Sequence, residues 1–129
     1  METVEADGAR FTWDPEQRLL RMAFDRPVAS GLAARELRPH AERWFQASSP
    51  HPVRVLIDCA GLTGTEPEWR AVWASFFTAH RERSRLAWYN AGALIRITVR
   101  MFLLATRLRE GAAAKEDEAA AWLAREASS

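Results

Sequence analysis

The chain has 129 residues, of which 48% are hydrophobic and 27% are charged, as is usual for one soluble globular domain. Its formal net charge of +1 lacks the basic excess of a general nucleic-acid-binding protein, so no nucleic-acid partner is expected. The single cysteine, Cys59, excludes an intrachain disulfide framework and a cysteine-based zinc site.

The first residues, 1–9, are acidic and contain no apolar segment, so they do not resemble a secretory signal. They are predicted to form a flexible arm ahead of a single domain that spans residues 10–129. The most apolar stretch, residues 91–108, is too short and contains too many arginines to cross a bilayer. The expected location is a bacterial cytoplasm, with peripheral membrane association as an alternative.

The first half of the chain has the pattern of two strands followed by a helix. Residues 10–13 and 18–24 are predicted as strands joined by a turn at Asp14-Pro15, because proline fixes the φ angle that the turn needs. Residues 31–47 have helical periodicity. Pro39 lies inside this segment, so the helix either begins near it or is kinked there.

The most informative segment is an apolar run over residues 53–58, which predicts a buried strand. A loop containing Gly61 and Gly64 follows it. An amphipathic helix is then predicted over residues 65–80, with Thr65 as its N-cap in a capping-box spacing. Ligands and partners of α/β sheets tend to meet the carboxyl ends of strands, so this loop is the first place to expect function.

The second half of the chain continues the alternation of strands and helices. Residues 85–89 are predicted as a strand, and Asn90 is predicted to cap a helix that reaches about residue 106. A weak strand is predicted over residues 111–115, and residues 117–126 close the chain as a helix. The predicted fold is therefore a single small α/β domain with a mixed four- to five-stranded sheet and about four helices.

Three stretches of the chain carry a resemblance to a known family: WDPEQRLLR over residues 13–21, VLIDCAGLT over residues 55–63, and EDEAAAWL over residues 116–123. With this order of elements, the chain resembles the STAS superfamily, and more closely its SpoIIAA-like branch. The resemblance implies a role in binding or regulation without catalysis. The chain lacks the Asp-Ser pair that carries the phosphorylation switch of the best-known relatives. Thr63 and Thr65 lie on the corresponding loop.

The segment 91–108 offers a candidate interaction surface. Its arginines fall within one narrow stripe of the predicted helix, while apolar residues occupy nearly every other direction. Either the terminal helix covers the additional apolar surface, or that surface is exposed to a protein partner, a second copy of the chain or an anionic membrane. The candidate partner-binding residues are Thr63, Thr65, Arg96, Arg100, Phe102, Leu103 and Arg107.

The aromatic stripe of the preceding helix also has two interpretations: it belongs to the core, or it forms the wall of a pocket for an apolar ligand. The candidate ligand-binding residues are Asp58, Trp69, Trp73 and Trp88. No catalytic constellation, metal-ligand spacing or cofactor motif is found, so neither an enzyme nor a bound cofactor is expected. The favoured function is a regulatory or adaptor domain acting through protein–protein interaction. The alternative is binding of a lipid or another small apolar ligand, or peripheral membrane association.

Overall fold

A computed structural model of the protein describes residues 1–108 and 114–127. The elements of this part of the chain are, in order, β1 (Glu2–Ala6), β2 (Ala9–Asp14), β3 (Leu19–Phe24), β4 (Val28–Ala29), α1 (Gly31–Ser48), β5 (Val53–Asp58), β6 (Gly64–Thr65), α2 (Pro67–Ala79), a turn of 3-10 helix (Arg81–Arg83), β7 (Ser84–Tyr89), α3 (Ala93–Thr106) and α4 (Glu116–Ala127). None of these helices is long and apolar enough to cross a membrane.

Five strands form one mixed sheet in the order β1-β2-β3-β5-β7. Strands β1, β2 and β3 pair antiparallel, whereas β3, β5 and β7 run parallel, because helices connect the last three. Strands β4 and β6 pair separately and tie the segment before α1 to the loop after β5. The predicted α/β class, the mixed sheet and its four helices are confirmed.

The two faces of the sheet bury very different amounts of apolar surface. Val53, Val55 and Ile57 alternate along β5 and point to the face that α1, α2 and α3 cover, which holds the larger core. Leu56 points to the opposite face, where α4 packs through Leu123. The sheet therefore separates a large three-helix core from a small one-helix core.

The expectation of a flexible arm over residues 1–9 is wrong for its main part, because Glu2–Ala6 is a paired edge strand. The Glu2 carboxylate accepts hydrogen bonds from the Arg43 guanidinium at 3.1 and 2.9 Å and from Trp44 Nε1 at 2.9 Å. These bonds, Arg43 first, lower the pKa of Glu2 to about 2. The acidic start of the chain is thus held to α1 by charge-assisted hydrogen bonds.

Several predicted helix starts also differ. Helix α1 begins at Gly31, is capped by the side chain of Ser30, and continues through Pro39. Thr65 does not cap α2, because it pairs in β6 and the helix begins two residues later. Asn90 does not cap α3: it has a φ of 60° and precedes a helix whose N-cap is Gly92.

Of the strand predicted over residues 111–115, residues 111–113 lie outside the described residues. Ala114 and Lys115 form a bend ahead of α4.

Candidate functional site

A cavity of about 390 Å³ lies between α2 and α3, over the face of the sheet that these helices cover. We call it the α2–α3 cavity. Met22, Ile57, Leu86 and Trp88, from the three parallel strands, form its floor. Native interiors contain few voids larger than a water molecule, whereas small-molecule pockets measure about 300–1,000 Å³. The cavity therefore has the size of a small-molecule site.

Helix α2 supplies an aromatic wall. Trp69, Trp73 and Phe77 recur at four-residue steps and so share one side of the helix. The Trp69 ring centroid lies 5.7 Å from that of Trp73 and 5.5 Å from that of Phe24, with both pairs nearly edge-on. Ala74 lines the cavity from the same helix, and its small side chain leaves space that a larger residue would fill. The aromatic stripe is thus both core and cavity wall.

Helix α3 supplies the opposite wall through Ile95, Val99 and Phe102. The Phe102 ring centroid lies 6.1 Å from that of Phe77 on α2 and 5.8 Å from that of Trp88 on β7. Both ring pairs are close to perpendicular, the arrangement that aromatic quadrupoles favour. Phe102 therefore connects the helical wall to the floor of the cavity.

Hydroxyl and guanidinium groups line the cavity at three positions, Thr65, Arg70 and Thr98, which we call the polar rim. Arg70 is exposed, and the two threonines are half-buried. Nη1 of Arg70 donates to the backbone oxygen of Thr65 at 2.6 Å and to its Oγ1 at 2.9 Å. Oγ1 of Thr98 donates to the Leu94 carbonyl at 3.3 Å. The site thus combines an apolar interior with one cationic group, Arg70.

Cys59 lines the cavity directly after β5 and is buried, as its sequence position predicts. Burial, and then the negative charge of Asp58, raise the pKa of the Cys59 thiol to about 12. The sulfur is therefore protonated at neutral pH and acts as an apolar lining group, not as a nucleophile.

Asp58 lies on the opposite face of the sheet from the cavity. Its Oδ1 accepts hydrogen bonds from the backbone N–H of Ala60 at 2.9 Å and from Nδ2 of Asn90 at 3.1 Å. Burial, and then the charge of Asp58, raise the pKa of neighbouring Tyr89 to about 12, so the phenol stays protonated. Asp58 joins the turns that follow β5 and β7, and it does not face the cavity.

Four large apolar side chains of α3 point away from the core and are between 54% and 76% exposed: Leu94, Ile97, Met101 and Leu104. We call them the outer stripe of α3. Arg96, Arg100 and Arg107 are exposed beside it, and residues 91–108 contain no acidic residue. The hypothesis that the terminal helix covers this surface is wrong, because α4 packs on the other face of the sheet.

The α2–α3 cavity brings together residues that the sequence analysis had assigned to separate surfaces. Its lining includes the three tryptophans proposed for ligand binding and two of the residues proposed for partner binding, which are Trp69, Trp73, Trp88, Thr65 and Phe102. The aromatic stripe of α2 therefore borders a cavity in which a ligand could bind.

The remaining candidates lie elsewhere. Oγ1 of Thr63 donates to the Pro27 carbonyl at 3.2 Å, and Nε of Arg96 donates to the Ala91 carbonyl at 3.1 Å. Leu103 packs partly buried against the main core. Arg107 ends α3 in the left-handed conformation, with a φ of 58°, and Arg100 is exposed on the same helix.

Sequence analysis missed several lining residues, notably Arg70, Ala74 and Met101. A signal for two of them exists. Arg70 and Ala74 are four residues apart and fall on the side of α2 that carries Trp73 and Phe77. Their position beside the aromatic stripe is the signal that could have identified these two residues as part of the lining.

Within residues 1–108 and 114–127, no three His, Cys, Asp or Glu side chains come together in a way that could hold a metal ion. Comparisons with protein-family models, with curated proteins and with solved structures found no match to the chain. We therefore infer function from the geometry of the cavity and of the outer stripe.

Proposed function

We propose that the protein binds a small apolar ligand in the α2–α3 cavity. The observation that carries the proposal is an aromatic-walled space of about 390 Å³ over the carboxyl-terminal part of the parallel strands β3, β5 and β7. Ligands of α/β proteins tend to bind at this end of the strands. This alternative from the sequence analysis has better geometric support than its favoured function, because the cavity already has walls, a floor and a polar rim.

Hydrophobic burial would supply the affinity. Each methylene group transferred from water into the cavity contributes about 0.8 kcal/mol. A space of about 390 Å³ accommodates about a dozen methylene-sized groups if each takes about 30 Å³, the volume per molecule in liquid water. Such a ligand would occupy space that the chain itself leaves unfilled, with little cost for rearranging the walls.

A matched pair of variants on α2 tests the proposal. Ala74 lines the cavity, whereas Ala71 lies on the exposed side of the same helix. With 1-decanol as the probe and tryptophan fluorescence as the readout, we expect Ala74→Leu to weaken binding at least about tenfold, because an extra methylene in an apolar pocket costs about 1–3 kcal/mol. Ala71→Leu should bind like the wild type. Equal affinities in all three proteins would contradict the proposal.

A second candidate function, regulation or adaptation through protein–protein contact, is supported by the outer stripe of α3. Exposed apolar surface of this kind beside a row of arginines is typical of interaction sites, and the arginines would favour an acidic partner. Self-association and peripheral contact with an anionic membrane use the same chemistry. The cavity and the stripe meet at Met101, which belongs to both.

The second candidate has its own test. The double variant Ile97→Glu/Leu104→Glu places two negative charges in the outer stripe of α3. Leu32→Glu on α1 is the control, because Leu32 is also an exposed large apolar residue. We expect the double variant alone to lose self-association in sedimentation velocity or capture of an acidic protein from lysate. Unchanged behaviour in both assays and on anionic vesicles would remove this candidate.

We also propose that the chain is a divergent STAS-type domain of the SpoIIAA-like branch, located in a bacterial cytoplasm and acting without catalysis. The support is that residues 13–21 span the turn between β2 and β3, residues 55–58 end the central strand β5, and residues 116–123 lie in α4. A solved structure of a characterised relative that superposes on these elements would strengthen the assignment.

A further inference from the structure

Arg70 is the charged residue of the cavity lining, and its nearest acidic candidates are used elsewhere. Glu66, one helical turn before it, accepts a hydrogen bond at 2.7 Å from the backbone N–H of Gly31. Glu68 forms an ion pair with Arg35. Within residues 1–108 and 114–127, no carboxylate lies within ion-pair distance of Arg70. The first turn of α2 therefore directs its acids towards α1 and leaves a cation on the side of the cavity.

The Arg70 guanidinium is also held in place. Both hydrogen bonds that it makes within the described part of the chain use Nη1 and go to Thr65, which β6 fixes against β4. Nε and Nη2 remain available to an incoming acceptor. A guanidinium is well suited to a carboxylate or a phosphate, because its fork of N–H groups matches two anionic oxygens. Restraint by Thr65 lowers the entropy that the side chain would lose when it binds such a group.

The space behind Arg70 has the opposite character. Trp69, Trp73 and Phe77 extend along α2 from the rim, and Ile57 and Trp88 lie on the floor. An anion deep in this interior would lose its hydration without a partner, whereas an uncharged chain would bury apolar surface. The arrangement separates a site for a charged head group at the rim from a site for a chain inside.

We propose that the ligand is a single-chain anionic amphiphile, with its carboxylate or phosphate head group on Arg70 and its apolar chain in the α2–α3 cavity. This inference rests on the proposed function, and it adds the chemical class of the ligand. The length of the ligand's apolar chain follows from the cavity volume, which accommodates about a dozen methylene-sized groups at about 30 Å³ each. Decanoate and decyl phosphate are therefore suitable probes for the two head groups, and 1-decanol is the uncharged probe of the same length.

The test is calorimetric titration of these three probes, below their micelle concentrations and at pH 8, into the wild type, Arg70→Gln, Arg70→Lys and Arg81→Gln. Arg81 is a matched control because it is exposed after α2, does not line the cavity and carries the same charge. We expect Arg70→Gln to weaken decanoate or decyl phosphate binding about tenfold and to leave 1-decanol within about twofold. Arg70→Lys should retain part of the preference for the anion, and Arg81→Gln should match the wild type.

The outcomes distinguish the inference from the function on which it rests. If no probe binds the wild type, the proposed function fails. If all three bind equally and Arg70→Gln changes none of them, the cavity still binds an apolar ligand and the assignment of the head group is overturned. Equal losses in Arg70→Gln and Arg81→Gln also overturn it, because general charge attraction would then explain the preference. Tighter binding of decyl phosphate than of decanoate, or the reverse, identifies the head group. Thermal unfolding of each variant checks that the fold persists.

Discussion

Helix α2 forms two interfaces on the same face of the sheet, one filled and one open. Towards α1, the ring centroids of Phe76 and Phe45 lie 5.0 Å apart, and neither side chain is accessible to solvent. Towards α3, the Phe77 and Phe102 centroids lie 6.1 Å apart beside the α2–α3 cavity. Both interfaces are aromatic, so residue type alone does not distinguish a closed core from a binding site.

The residues opposite α2 account for the difference. On α1, a Cβ added at Gly31 would lie 2.6 Å from Cβ of Glu68, so the glycine allows close approach of the two chain segments. Helix α3 instead presents Phe102 towards Phe77 of α2 and Trp88 of β7, and we infer that bulky side chains on both walls hold these two helices apart. A pocket forms between two helices when bulky side chains on both hold the helices apart and no other side chain fills the space between them.

The largest expected effect compares one phenylalanine from each interface. Phe76→Ala removes a fully buried ring from the filled interface and should lower the free energy of unfolding by about 3–5 kcal/mol. Phe102→Ala removes a half-buried ring that already borders a void, so we expect less than about half of that loss. Urea unfolding followed by circular dichroism measures both. Equal losses would show that the two interfaces are packed alike.

The converse substitution enlarges a small residue on each side. Ala34→Leu adds volume to the filled interior and should cost about 1–3 kcal/mol through overpacking. Ala74→Leu extends into the cavity and should change the free energy of unfolding by less than about 1 kcal/mol in either direction. The same urea titrations apply, and a large penalty for Ala74→Leu would mean that the space is closed in solution.

Most of the fold could be predicted because its elements are locally encoded. The apolar run at residues 53–58 and the periodicity of residues 67–79 predict β5 and α2 without tertiary information. Strand β1 could not be predicted in this way. Its sequence, ETVEA, is acidic, and it becomes a strand through pairing with β2 and through hydrogen bonds from Arg43 and Trp44 to Glu2. Such support comes from residues far away in the chain.

The candidate site was only half predictable for a related reason. The segment 91–108 contains more apolar residues than contact with one face of a sheet could bury. The exposure of Leu94 and Leu104 agrees with this excess. The cavity, however, depends on how far α3 lies from α2, which no periodicity reveals. Thr65 illustrates the limit: its spacing before Glu68 is that of a helix cap, yet pairing with β4 places it in a strand beside Arg70.

Glu2 of the edge strand β1 is hydrogen-bonded to Arg43 and Trp44 of α1, the helix on the filled side of α2. The contribution of these bonds to stability should depend on pH. The pKa of Glu2 is about 2 in the folded protein against an ordinary 4.5, so its stabilising effect is complete above about pH 4.5 and is lost as the pH falls through 2. Glu2→Gln should therefore lower the unfolding temperature at pH 7, and the difference from the wild type should shrink between pH 4.5 and 2. Glu5→Gln is the control, because Glu5 meets Arg10 only at 3.9 Å and is more exposed. A constant difference over this range would contradict the role of the Glu2 carboxylate.

The last expected effect involves no change in stability: on the open side, the reaction rate of Cys59 reports on the cavity. A pKa of about 12 instead of 9.0 lowers the thiolate fraction at pH 8 about a thousandfold relative to an ordinary thiol, so modification by a soluble disulfide reagent should be slow. Saturating 1-decanol should slow the reaction further, because a ligand in the cavity covers the sulfur and opposes the opening that exposes it. In Phe76→Ala, the Cys59 thiol should react faster only if it becomes exposed by global unfolding. In Ala74→Leu, it should react more slowly even without ligand, since leucine fills part of the same cavity. Bound decanol that leaves the rate unchanged would place the ligand away from Cys59 and outside the α2–α3 cavity.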